Sequence, residues 1–133
     1  MYIAEKQIDG YFFGIRPIEA EEGLHLLVDL AKTIGPAFAD DPGVAARELA
    51  TSLNAGKVVE IVQTLSKYTD FDPEGGGQPR ALRPVWKTEF SGQKIALLVK
   101  WLGFAIQANF ANLPEAFAEL GLDFGGAPTT SVE

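Results

Sequence analysis

His25 is the only histidine in the chain, and cysteine is absent. Without cysteine there is no disulfide, no thiolate nucleophile and no zinc–thiolate site. A catalytic imidazole needs a nucleophile or a paired carboxylate beside it. His25 sits between Leu24 and Leu26 with no such partner in view, so it reads as a surface or boundary side chain. Glu19, Glu21 and Glu22 are crowded enough to suggest a metal or acid–base site. Neighbouring helix positions do not converge on one point. The three acids are better explained as complements to the positive end of a helix dipole. Asp70-Phe71-Asp72-Pro73-Glu74-Gly75 opens like a calcium loop, with Gly at the sixth position. Such a loop needs an acid at the twelfth position, where this chain has Ala81. Gly75-Gly76-Gly77 lacks the Gly-Lys-Ser/Thr ending and the preceding strand of a phosphate-binding loop. It reads as a linker. No hydrolase, kinase or dinucleotide-binding pattern is visible. The sequence therefore points to a non-enzymatic protein with no cofactor and no metal.

The remaining candidates are aromatic and cationic. Trp86, Trp101, Phe104 and Phe110 lie near Lys94 and Lys100. Aromatics beside a cationic groove can hold a nucleic-acid strand. Three of these four aromatics, however, fall at helical spacing inside an apolar stretch, which favours a core or a protein interface. Trp86, Trp101, Phe104, Phe110, Lys94 and Lys100 are thus the candidate protein-interface residues. The net charge of −7 lacks the basic footprint of a nucleic-acid binder. It is also uneven. Residues 1–77 carry −7, residues 78–100 carry +4 through Arg80, Arg83, Lys87, Lys94 and Lys100 against Glu89, and residues 101–133 carry −4. Such segregation suits complementary contacts with a partner or a second copy, although a solvated face explains it too.

The elements that must position these residues follow from punctuation and periodicity. Asp9-Gly10 marks a two-residue hairpin turn within residues 2–16. Leu24, Leu27, Val28, Ala31, Ile34 and Phe38 predict an amphipathic helix over about 19–34. Asp41-Pro42 predicts a cap and first turn for a modest helix through Val44, Ala45, Leu49 and Leu53. Asn54-Ala55-Gly56 breaks it, and Val58, Val59, Val62, Leu65 and Tyr68 mark the next helix. Residues 70–84, rich in Gly, Pro and Asp, predict a long mobile loop, after which residues 85–87 read as a short extended piece. Ser91 is the expected cap of the strongest helix, 91–112, whose face is Ile95, Leu98, Val99, Leu102, Ala105, Ile106 and Phe110. A short helix from Glu115 to Leu120 and a tail complete the chain.

The expected fold class is mainly α. A short N-terminal β-hairpin precedes a bundle of about four to five helices, with a long Gly/Pro-rich loop before the last long helix. Residues 1–121 are expected to form a single domain, with 122–133 as a flexible tail. The start, Met1-Tyr2-Ile3-Ala4-Glu5, does not read as a secretory signal. Trp101–Pro114 is too short and too interrupted to be expected in a bilayer.

The order of these pieces carries a resemblance. Tyr11-Phe12-Phe13-Gly14-Ile15-Arg16-Pro17 closes the hairpin. Leu24-His25-Leu26-Leu27-Val28-Asp29-Leu30-Ala31-Lys32 leads to Ile34-Gly35-Pro36-Ala37-Phe38. Phe90-Ser91-Gly92-Gln93 opens the last long helix, and Ala108-Asn109-Phe110-Ala111-Asn112-Leu113 ends it. Over most of residues 8–113 this resembles the tail assembly chaperones of long-tailed bacteriophages and prophages. The resemblance implies a protein of the bacterial host's cytoplasm that binds the tape measure protein during tail morphogenesis and is absent from the mature virion. It also implies self-association, for which Trp101 and Phe104 would be the anchors. The alternative is a structural tail component, a terminator or connector, retained in the particle.

Overall fold

The computed structural model describes residues 1–35, 38, 41–76 and 78–121, apart from the side chain of Phe117. The hairpin forms as its turn demands. Strands β1 (Ala4–Ile8) and β2 (Tyr11–Ile15) pair antiparallel with Ile8 opposite Tyr11. Asp9 and Gly10 both take positive φ, 53° and 85°. That is the turn whose twist matches a right-handed ribbon.

The sheet does not stop there. β3 (Thr69–Asp72) pairs antiparallel with the other side of β2, and β4 (Arg80–Ala81) pairs with β3, giving the order β1-β2-β3-β4. Residues 70–84 are therefore not a loop throughout, and a strand does precede the glycines that begin at Gly75, although the Gly-Lys-Ser/Thr ending is absent. Thr69 and Phe71 are fully buried, while the neighbouring acids, Asp70 and Asp72, disguise the strand in composition. The segment that leaves β3 is pinned at its base. The buried carboxylate of Asp72 accepts backbone N–H bonds from Glu74 (2.9 Å), Gly76 (3.1 Å) and Gln78 (2.9 Å). Residues 86–89 form a short helix, α4 (Trp86–Glu89), where an extended piece was expected.

The molecule is mainly helical. α1 (Ala20–Ile34) ends at Gly35, whose φ of 86° suits glycine. A single 3₁₀ turn, Pro42–Val44, leads into α2 (Ala45–Ala50), and Asp41 accepts the Gly43 N–H there as expected. Asn54 does more than break a helix. Its side chain accepts the Lys57 N–H at 3.1 Å and caps α3 (Ala55–Lys67). Ser91 stands at the N-cap of the turn that opens the last long helix, but its side chain makes no cap bond there. Its hydroxyl donates to the Thr88 carbonyl and closes α4, and the last long helix enters through a 3₁₀ turn, Gly92–Lys94, before α5 (Ile95–Phe110). α6 (Leu113–Glu119) follows. The expected tail at 122–133 lies outside the described residues, as do Pro36 and Ala37.

One buried cluster joins sheet and helices. Aromatic rings run through it in sequence. Phe71 and Tyr11 stack at 6.4 Å, Tyr11 and Phe13 at 6.0 Å, Phe13 tilts on Phe90 at 6.3 Å, and Phe90 stacks on Trp101 at 5.8 Å. The opposite face of the sheet is covered by Tyr2, whose ring lies over Gly14 and whose hydroxyl donates to Asp70 at 2.9 Å. Burial lifts the Tyr2 phenol above its ordinary value, and the Asp70 carboxylate adds to the shift.

The helical run Gly92–Ala116 is long and apolar enough, by length and composition, to cross a membrane. About a third of its apolar window is buried inside the protein. Leu97, Trp101, Leu102, Ala105, Ile106 and Phe110 are buried within the protein.

Candidate protein-binding site

The structure does not gather the expected interface residues into one patch. Trp101 is fully buried, and its Nε1–H donates to Thr69 Oγ1 at 3.3 Å. Phe110 is buried and meets Phe38 edge-on at 6.2 Å. Both are core residues and are unavailable as surface anchors. Helical spacing showed that these rings share an apolar helix, but not which side of it the sheet occupies. Trp86 is partly buried on α4 and walls a small polar cleft with Gln63, Arg83 and Lys87. Lys94 is engaged in the fold. Its Nζ donates to the Tyr11 hydroxyl at 2.7 Å, and that hydroxyl donates to Glu89 at 2.9 Å. The Tyr11 bond holds the Lys94 ammonium above its ordinary value. Phe104 remains half-buried with the Lys6 ammonium 6.0 Å from its ring centre, and Lys100 pairs with Asp9 at 3.1 Å. Of the expected set, only Phe104 and Lys100 share a surface feature.

Two grooves flank α5. The first lies between α2, α3 and α5 and holds about 290 Å³. Leu49, Val58, Val59, Val62, Ile95 and Leu98 line it, with few polar groups. Val59 is 39% exposed and Ile95 57% exposed at its rim, and Leu53 on the α2–α3 connection is fully exposed. By their spacing most of these residues belong to the apolar stripes of their helices. In the fold the buried faces are rotated. α3 buries Ile61, Val62, Leu65 and Ser66, and α5 buries Leu97 and Trp101 in place of Ile95. What was left over on each helix forms the groove. Likewise Leu26 and Leu30 anchor α1, while Leu24 and Val28 are exposed.

The second groove is larger, about 660 Å³, and separates β1 from α5. Phe104 and Lys100 belong to it, together with Lys6, Ile8, Arg47 and Gly103. Val99 lines both grooves and forms the ridge between them.

Some titratable groups tie elements of the fold together. Glu22 does not merely complement a helix dipole. Its carboxylate receives the Tyr68 hydroxyl and the Lys67 ammonium (3.0 Å), tying the start of α1 to the end of α3. The Tyr68 bond, then Lys67, lowers the Glu22 carboxyl below its ordinary range, and the Tyr68 phenol is raised in turn. His25 is exposed on α1. Among the described residues no three His, Asp or Glu side chains are placed to hold a metal ion. Of the two grooves beside α5, the smaller has a mainly apolar lining. Searches with the chain against protein-family models, curated proteins and solved structures find no match.

Proposed function

We propose that this protein is a tail assembly chaperone of a long-tailed bacteriophage or prophage, and that it holds a helical segment of the tape measure protein in the α2–α3–α5 groove. The observation that carries the reading is that groove: apolar in its lining, open at the surface, and rimmed by the exposed side chains of Val59 and Ile95. An amphipathic helix laid in an apolar groove inserts residues at i, i+3, i+4 and i+7. The order of hairpin and helices that resembles the family supports the same reading. Holding such a segment requires no catalytic group, only apolar surface that water covers poorly.

Self-association through α5 belongs to the proposal. Trp101 is inside the core, which leaves Phe104, only half-buried, as its anchor. Light scattering that returns a clean monomer at high concentration removes that part. The main reading is tested by co-expression with the tape measure protein of the same phage. A soluble complex that survives purification is expected, and copurification no better than with unrelated proteins defeats it. Mass spectrometry of purified virions separates the two roles. The chaperone is absent from the particle, whereas a structural tail component is present at stoichiometric amounts.

A further inference from the structure

We propose that the free edge of β1, with the larger groove beside it, takes an extended segment of another protein bearing carboxylates at alternate positions, as an added strand of the sheet. This site is separate from the helix-binding groove and does not rest on that reading. The hairpin register decides which backbone groups are free. A two-residue turn makes Ile8 and Tyr11 a hydrogen-bonded pair, and bonded pairs alternate along an antiparallel ribbon. Lys6 and Ile8 therefore bond to β2, and the N–H and C=O groups of Glu5 and Gln7 point away from it. Among the described residues neither has a backbone partner on that side.

An open edge of this kind is usually covered or guarded. Here a groove runs along it. Lys6 to Asp9 form one wall and Val99, Gly103 and Phe104 of α5 the other. Gly43 and Gly103 line it without side chains of their own, and its volume is about 660 Å³. An incoming strand would lie about 4.8 Å from β1.

The charge of the groove selects the occupant. Lys6 and Arg47 have no salt bridge among the described residues, and the acid lining the wall, Asp9, is bound by Lys100. The groove is thus cationic in a chain of net charge −7. A second copy is a poor occupant. Two-fold pairing of β1 on itself sets Glu5 against Glu5 or Lys6 against Lys6, and centring on Gln7 sets Glu5 against Asp9. Like charges directly opposite are destabilising. An acidic strand from a different protein meets Lys6 and Arg47 with opposite charge.

The test uses the full chain and a synthetic peptide, acetyl-Val-Glu-Val-Glu-Val-amide, with a Val-Lys counterpart. Added acidic peptide should slow hydrogen exchange at the Glu5 and Gln7 amides and shift the resonances of Val99, Gly103 and Phe104. Methylating alternate peptide nitrogens in one phase should abolish binding, and in the other phase leave it. Lys6→Glu with Arg47→Glu, both at exposed positions, should weaken the acidic peptide by about tenfold and admit the basic one. Circular dichroism establishes that this variant is folded. Four results overturn the proposal. They are no protection of Glu5 and Gln7 at millimolar peptide, equal binding of both methylation phases, equal binding of the basic peptide by the unaltered chain, and protection of the same amides by dimerisation without peptide.

Discussion

Trp101→Ala and Phe104→Ala, neighbours along α5, divide what this helix gives to the core from what it gives to the surface. Trp101 is fully buried, stacked on Phe90 and hydrogen-bonded to Thr69. Truncating such a ring removes its transfer free energy and leaves a cavity, together about 3–5 kcal/mol. A domain of this size is stable by about 5–15 kcal/mol, so the loss is a large share of the whole. Phe104 is only half-buried. Full burial of a Phe side chain contributes about 1.5–3 kcal/mol, so its removal costs roughly 1 kcal/mol. The Lys6 contact adds about 0.5 kcal/mol at an exposed site. Urea unfolding followed by far-UV circular dichroism is the suitable assay, because the first variant removes one of the two tryptophans. At a slope of about 2 kcal/mol per molar urea, Trp101→Ala should lower the midpoint by about 2 M. Phe104→Ala should lower it by less than about 1 M. Equal shifts, or a cost below about 1 kcal/mol for Trp101→Ala, would refute the placement of the sheet against the Trp101 face.

Asp72→Ala should free the amides of Glu74, Gly76 and Gln78 to exchange rapidly. Stability should fall by about 1.5–3 kcal/mol, because solvent replaces only part of what a buried carboxylate supplies; unchanged exchange at those amides would contradict the pinned loop. Gly14→Ala places a Cβ 2.8 Å from the Tyr2 ring, so Tyr2 must lift. The expected cost is about 1–3 kcal/mol, and ultraviolet titration should show the Tyr2 phenol moving down toward its ordinary value. Glu22 is more acidic in the folded chain than at its ordinary carboxyl value, to which it returns on unfolding. Its contribution is therefore present above that value and lost as pH falls through the lower folded value. Glu22→Gln should destabilise at neutral pH and flatten the acid limb of the stability profile. An acid limb identical to that of the unaltered chain would exclude this role.

Much of the fold is legible in local chemistry. Asp9-Gly10 announces its turn, and Asp41-Pro42 announces its cap. These signals depend on a few bonded neighbours, which sequence supplies. β3 was hidden because Thr69-Asp70-Phe71-Asp72 is half acidic and runs into a Gly-rich stretch. Its strand character comes from pairing with β2, more than fifty residues earlier. The interface is illegible in the sequence for a related reason. α5 is apolar nearly all round, so periodicity cannot say whether Ile95 or Trp101 faces inward. Only the sheet decides that. The groove then collects residues from three helices whose sequence stripes each looked like core.

The central claim is that the α2–α3–α5 groove binds the tape measure protein. Ile95→Glu with Val59→Glu tests it most directly. Both positions are exposed, so the folded state should change by no more than about 0.5 kcal/mol per site. Each variant acid would nevertheless stand at the rim of the apolar groove. On co-expression, the account predicts a folded variant that no longer copurifies with the tape measure protein, while the unaltered chain does. Undiminished copurification by the folded double variant would contradict it.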